Sequence, residues 1–156
     1  MMRLKKMTQP DFDDFLSFSI LDYAKDKVAA GTWSDDESIA LATNSFNELL
    51  PKGLHTENEF LFSIIEPSLS SKVGYLWFHA HHDKTGKSAF IYDFVIFEPF
   101  RGKGYGTKAL ETLIKEIQTL HFDKINLHVF GHNEIALELY KKMGFVTTDL
   151  SMTKYL

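Results

Sequence analysis

The sequence predicts an α+β (mixed α/β) domain: a mixed, mostly antiparallel sheet of six to seven strands flanked by about four helices. Three observations predict it. Two segments with apolar residues at helical spacing come first. A meander of period-two segments follows, with a hairpin turn inside it. The chain then closes in the order strand, helix, strand, helix, strand, which does not suit a doubly wound sheet.

Arg3 to Met7 reads as a short first strand. Thr8 suits a helix N-cap, with Pro10 in the first turn, where no N–H is needed. Phe12, Phe15, Leu16, Ile20 and Tyr23 then recur at helical spacing. After a loop around Gly31-Thr32-Trp33, Ser34 to Glu37 reads as a capping box opening a second helix. Its expected buried stripe is Ile39, Ala42, Phe46 and Leu49, and Pro51 and Gly53 stop it. Phe60 to Glu66, Lys72 to His82 and Ser88 to Phe97 read as strands, with Asp83-Lys84-Thr85-Gly86 turning between the last two. A third helix from about Thr107 puts Ala109, Leu110, Leu113, Ile114, Ile117 and Leu120 on one face. Lys124 to Phe130 alternates as a strand, with Ile125, Leu127 and Val129 on one side. Asn133 caps a fourth helix that Gly144 ends, and residues 145–156 are expected to supply one or two final strands.

A chain of 156 residues suits one domain, residues 1–156, with a core of its own. At 44% hydrophobic and 14% aromatic residues it is not a disordered chain. Net charge is −4, with no basic excess to attract nucleic acid and no apolar run able to span a membrane. Met1 to Met7 carries charge but no apolar signal core, so a cytoplasmic protein is expected. The absence of cysteine excludes disulfides, thiolate catalysis and Cys-ligated zinc. His79 and His81 share a strand face while His82 points away, and no acidic residue accompanies them at ligand spacing, so no metal is expected.

The most informative run is Arg101-Gly102-Lys103-Gly104-Tyr105-Gly106-Thr107, between the apolar strand ending at Phe97 and the third helix. Glycines let the backbone approach a ligand closely and take bends other residues resist. N–H groups at a helix start then point at one anion, helped by the helix dipole. The run is neither G-x-x-x-x-G-K-[ST] nor G-x-G-x-x-G, since Thr occupies position 107.

Arg101-Gly102-Lys103-Gly104-Tyr105-Gly106 resembles the R/Q-x-x-G-x-G/A motif of the GNAT N-acetyltransferases. Asn133 to Phe145 resembles that family's N-x-x-A-x-x-L-Y-x-K-x-G-F segment, one helix and one strand downstream. The resemblance implies that the amides of Gly102, Lys103, Gly104, Tyr105, Gly106 and Thr107 hold the pyrophosphate of acetyl-CoA, with charge from Arg101. It implies that Val95, Ile96 and Phe97 pair with the pantetheine arm like an added strand. It also implies a splay between this strand and the next, with the chain turning outward at Pro99.

In such a transfer a neutral amine attacks a thioester, and the departing thiolate needs a proton. The resemblance makes Tyr140 the general acid; a phenol stays protonated at neutral pH. Asn133 lies seven residues earlier on the same helical face, and small Ala136 between them leaves room for the cofactor. A backbone N–H near Val95 or Ile96 would stabilise the oxyanion. Asp93 is the first candidate base: by period two it shares a face with Ile91, Val95 and Phe97, where a carboxylate needs a partner or a function. Glu66 and Glu98 are weaker candidates. Trp33 and Tyr23 are expected to border the acceptor, a small-molecule or peptide amine, and family members are often homodimers. Two other readings stay open: a non-catalytic acyl-CoA sensor, against which Tyr140 argues, and a nucleotide binder, against which the missing Walker pair argues.

Overall fold

The computed structural model describes all residues from Met1 to Leu156. Its elements are β1 (Arg3–Lys6), α1 (Gln9–Ala29), α2 (Asp35–Leu49), β2 (Glu59–Glu66), β3 (Ser71–Asp83), β4 (Gly86–Ile96), α3 (Tyr105–Thr119), β5 (Lys124–Leu127) and α4 (Glu134–Lys142). Single 3₁₀ turns sit at Gly53–His55 and Glu98–Phe100. The strands form one sheet in the order β1-β2-β3-β4-β5. The first four are antiparallel, and β5 joins β4 in parallel after the α3 crossover. The expected mixed α+β class is therefore observed.

The local chemistry explains most boundaries. Thr8 Oγ1 accepts the Asp11 amide at 3.3 Å while Asp11 Oδ2 accepts the Thr8 amide at 3.0 Å, a reciprocal cap opening α1. Ser34 does stand at the N-cap of α2, but its side chain makes no cap bond, so the expected capping box is absent. Asp35, Asp36 and Glu37 match the helix dipole there instead. The buried face of α2 is Ser38, Ala42 and Phe46; Ile39 is 54% exposed, because the helix is rotated from the expected stripe.

Five strands form, not six to seven. Gly144, at φ +94°, turns the chain after α4, and residues 145–156 pair with nothing in the sheet. Val146, Leu150, Met152 and Tyr155 remain exposed. The edge such strands would extend is short: β5 ends at Leu127 rather than Phe130.

The sheet is covered on both faces. Leu76 and Phe78 of β3 join Ile64, Ala89, Ile91 and the buried face of α3, with Tyr140 of α4. Tyr75 and Trp77 point the other way and meet Phe15, Phe46 and Val95 beneath α1 and α2. Phe15 has no exposed surface and lies edge-on to Tyr75 and Trp77, at 5.5 and 6.1 Å between ring centroids. The Trp77 Nε1–H donates to Glu59 Oε1 at 3.0 Å, and the other oxygen of this buried carboxylate pairs with His79 Nδ1.

Two backbone features of the β3–β4 pair shape the site. A Cβ added at Gly74 would stand 2.0 Å from the Val95 carbonyl oxygen, so only glycine allows this approach of the strands. A register shift leaves Tyr92 without an opposite residue, since Phe78 pairs with Ile91 and Trp77 with Asp93. The expected common face of Ile91, Asp93, Val95 and Phe97 is thus corrected. Ile91 joins the α3 side, whereas Val95 and Phe97 pack on the α1 side.

Candidate functional site

The glycine run forms a turn leading straight into α3. The Arg101 amide closes the 3₁₀ turn on Glu98 O at 3.2 Å, in the segment where Pro99 was expected to turn the chain. Gly102 and Gly104 then adopt φ +75° and +79°, values that β-carbon-bearing residues resist. Gly104 is the N-cap of α3 and supplies no capping side chain. None of the six amides from Gly102 through Lys103, Gly104, Tyr105 and Gly106 to Thr107 donates to a protein acceptor; the Lys108 amide, on Gly104 O at 3.1 Å, is the first that does. A Cβ on Gly102 or Gly104 would meet no atom within 4 Å. A row of free donors therefore faces open space at the positive end of a 15-residue helix. Gly106 serves packing instead, since a Cβ there would come 3.2 Å from Leu139 Cδ2. Arg101 turns its Nε to Ile96 O at 2.8 Å, and Lys103 lies over the Phe100 ring.

Beside this turn, β4 has an open edge. It pairs with β5 only from Ser88 to Ile91, whereas its other edge stays paired with β3 through Val95 and Ile96. The Phe97 amide continues that side, bonding Val73 O at 2.8 Å. Because β5 ends at Leu127, opposite Ile91, Val95, Ile96 and Phe97 have no strand on that edge.

The charge of Asp93 reaches Tyr140 across this region. The irregularity at Tyr92 aims Asp93 to the α1 side, where protein surrounds it on nearly all sides although some of its surface stays accessible. Burial pushes its carboxyl up to about 7; the Ser19 hydroxyl opposes the rise, and the charges of Asp22 and Asp26 add to it. Tyr140 is 8% exposed, with Phe145 edge-on at 5.5 Å between ring centroids. Burial first, and then the charge of Asp93, push its phenol up to about 12. One group thus titrates near neutrality while its neighbour stays protonated.

The other expected residues are also placed. Tyr23 and Trp33 meet edge to face at 5.5 Å, with Lys27 Nζ 5.6 and 5.4 Å from their ring centroids. Tyr23 reaches Phe130 as well, the loop after β5. Asn133 Oδ1 accepts the Ala136 amide at 3.3 Å, so this pair caps α4. Glu66 is tied into its own turn by Ser68 and the Leu69 amide, away from this region. Sequence reasoning missed Ser19, Asp22 and Asp26 of α1. Their signal was a polar stripe at positions i, i+3 and i+7 of an otherwise aromatic-rich helix. Two surface recesses of about 270 and 380 Å³ lie elsewhere, against Arg3 and Lys5 and against His79 to His82, and touch none of these groups.

Residues 19–145 match the acetyltransferase (GNAT) family. The chain belongs to that family. It is 41% identical to the uncharacterized N-acetyltransferase YycN of Bacillus subtilis over 155 residues, covering 98% of this chain and 97% of that one. The crystal structure of YycN superposes with a TM-score of 0.96 at 39% identity, covering 100% of this chain and 99% of the other. A more distant GNAT-fold structure is a predicted acetyltransferase with acetyl-CoA from Clostridium acetobutylicum, with a TM-score of 0.64 at 20% identity over 99% and 96% of the two chains. No helix of this GNAT protein is long and apolar enough to cross a membrane.

Proposed function

We infer that this protein transfers the acetyl group of acetyl-CoA to a primary amine of a small molecule or peptide. The observation that carries the reading is the row of six unpaired amides from Gly102 to Thr107 in front of open space at the start of α3. Such a row suits a diphosphate, and GNAT membership makes that diphosphate the one in CoA. Arg101 and Lys103 add positive charge beside it. The free edge at Val95, Ile96 and Phe97 would take the pantetheine amides as a partial strand, and Asn133 and Ala136 at the start of α4 would border them.

The bound cosubstrate supplies an acetyl group on sulfur; this chain's residues manage the protons. Asp93, with a carboxyl near neutrality, takes one proton from the acceptor ammonium. The amine lone pair forms the C–N bond to the acetyl carbon, and the C–S bond breaks with its electron pair going to sulfur. Tyr140 gives its phenolic proton to that sulfur, and the second proton of the acylated nitrogen restores the phenol. The sum is an amide, free CoA thiol and one proton leaving through Asp93. Tyr23 and Trp33 would border the acceptor. Calorimetry with CoA against ATP, followed by thiol release from acetyl-CoA with a panel of amines, tests the assignment. Micromolar CoA binding with amine-dependent thiol release is expected, on the order of ordinary enzyme KM values. Tighter binding of ATP would overturn the cradle, and CoA binding without transfer to any amine would leave a sensor.

A further inference from the structure

We propose that His79 and His81, at the outer end of β3, chelate a late first-row divalent ion of the Zn²⁺ class, at a site separate from the transfer site and independent of that reading. Alternation puts both histidines on one face of β3, where burial gives way from Trp77 to the exposed hairpin. Their rings stand 6.4 Å apart between centroids. Two imidazoles sharing one ion, each nitrogen about 2 Å from it, need centroids about 5–6 Å apart. The His81 side chain is 56% exposed and closes that difference by turning. With Asn58 and Ala80 the two histidines line a recess of about 380 Å³.

Spacing in the sequence argued against a metal, because no acidic ligand accompanies the histidines. The fold supplies carboxylates in another role, as partners of the rings. Glu59 of β2, in register opposite His79, meets its Nδ1. Asp83 meets His81 Nε2 at 3.1 Å. Both carboxylates are themselves held. Glu59 is buried and accepts the Trp77 Nε1–H at 3.0 Å, while Asp83 accepts the Thr85 amide at 2.7 Å and the Thr85 hydroxyl at 2.6 Å. A carboxylate on one ring nitrogen takes the N–H there and leaves the lone pair on the other, the state in which imidazole binds a metal. His79 Nε2 and His81 Nδ1 are those other nitrogens, and neither meets a protein partner. The nearest lysine is engaged elsewhere: Lys87 Nζ reaches Leu120 O at 3.4 Å and lies 4.3 Å from the Phe122 ring centroid, on the α3 side. No third imidazole or carboxylate converges with the two histidines, so an ion there keeps water in its remaining positions. Imidazole nitrogens without oxygen ligands favour late first-row ions over Mg²⁺ or Ca²⁺.

The test titrates untagged, chelator-stripped protein with zinc, nickel and magnesium chlorides by calorimetry near neutral pH. One Zn²⁺ per chain should bind with a Kd on the order of micromolar, and Mg²⁺ should not bind measurably. Zinc affinity should fall at least about tenfold in His81→Asn and about tenfold in Asp83→Asn, and stay within about twofold in His82→Asn, whose side chain lies on the other strand face. Zinc should also raise the melting temperature of the wild type but not of His79→Gln/His81→Asn. Should His79→Gln loosen the fold around buried Glu59, the exposed His81→Asn carries the test alone. Absence of zinc binding by the wild type, or equal binding by His81→Asn, overturns the site. An unchanged affinity in Asp83→Asn overturns the part given to the carboxylates.

Discussion

Tyr140 sits in apolar surroundings, its hydroxyl donates to no protein acceptor, and its phenol is held up near 12. A group in that state can give a proton at neutral pH but has no structural bond to lose. Tyr140→Phe should therefore lower kcat by about 100-fold while CoA affinity changes by no more than about twofold. Steady-state kinetics beside a CoA titration checks this, and unchanged turnover would remove the phenol from the chemistry. Tyr140 was legible because its motif is contiguous in the chain. Asp93 was legible as a carboxylate in an apolar strand, but not its correct face, since one extra residue at Tyr92 shifts the alternation. Ser19, Asp22 and Asp26 showed only as a polar stripe on α1, with nothing to say what it faces. Their meaning arises only when α1 crosses β4, a contact with no sequence-local signature.

The strand-turn-helix unit from β4 to α3 is the element whose form was most readable. Its glycines state the backbone geometry directly, and both Gly102 and Gly104 take the positive φ they permit. Gly104→Val puts a branched side chain on a left-handed residue, a strain of about 1–3 kcal/mol, and fills the space in front of the amides. The variant should melt at a lower temperature yet fold, and bind CoA at least about tenfold more weakly. Calorimetry on the folded variant decides it; normal affinity would move the cradle elsewhere. Other elements were less readable. The 145–156 segment has strand-like composition, but strand formation needs an edge to pair with, and β5 offers four residues. The Ser34 capping box failed because the motif names the residues and not their rotamers.

At the scale of the molecule, two hydrophobic layers clamp one sheet, and Asp93 lies within the clamp at a point where charge is disfavoured. Its carboxyl is up near 7 in the folded protein against about 3.8 unfolded. Between those values the folded chain holds a proton that the unfolded chain has released. Stability from this group is therefore full below about 3.8 and is lost as pH rises through about 7. Asp93→Asn abolishes the loss. The variant should out-melt the wild type at pH 8, with the margin shrinking by pH 5, and melting curves at the two values check the sign. Gly74 carries a different lesson about the same sheet. With 2.0 Å between a would-be Cβ and the Val95 oxygen, a single hydrogen atom serves as the spacer that sets how far the free rail of β4 stands from its neighbour. Selection for new acceptors can rework α1 and the loops around it, but at this rung the alphabet has one letter, and any other would move the rail itself.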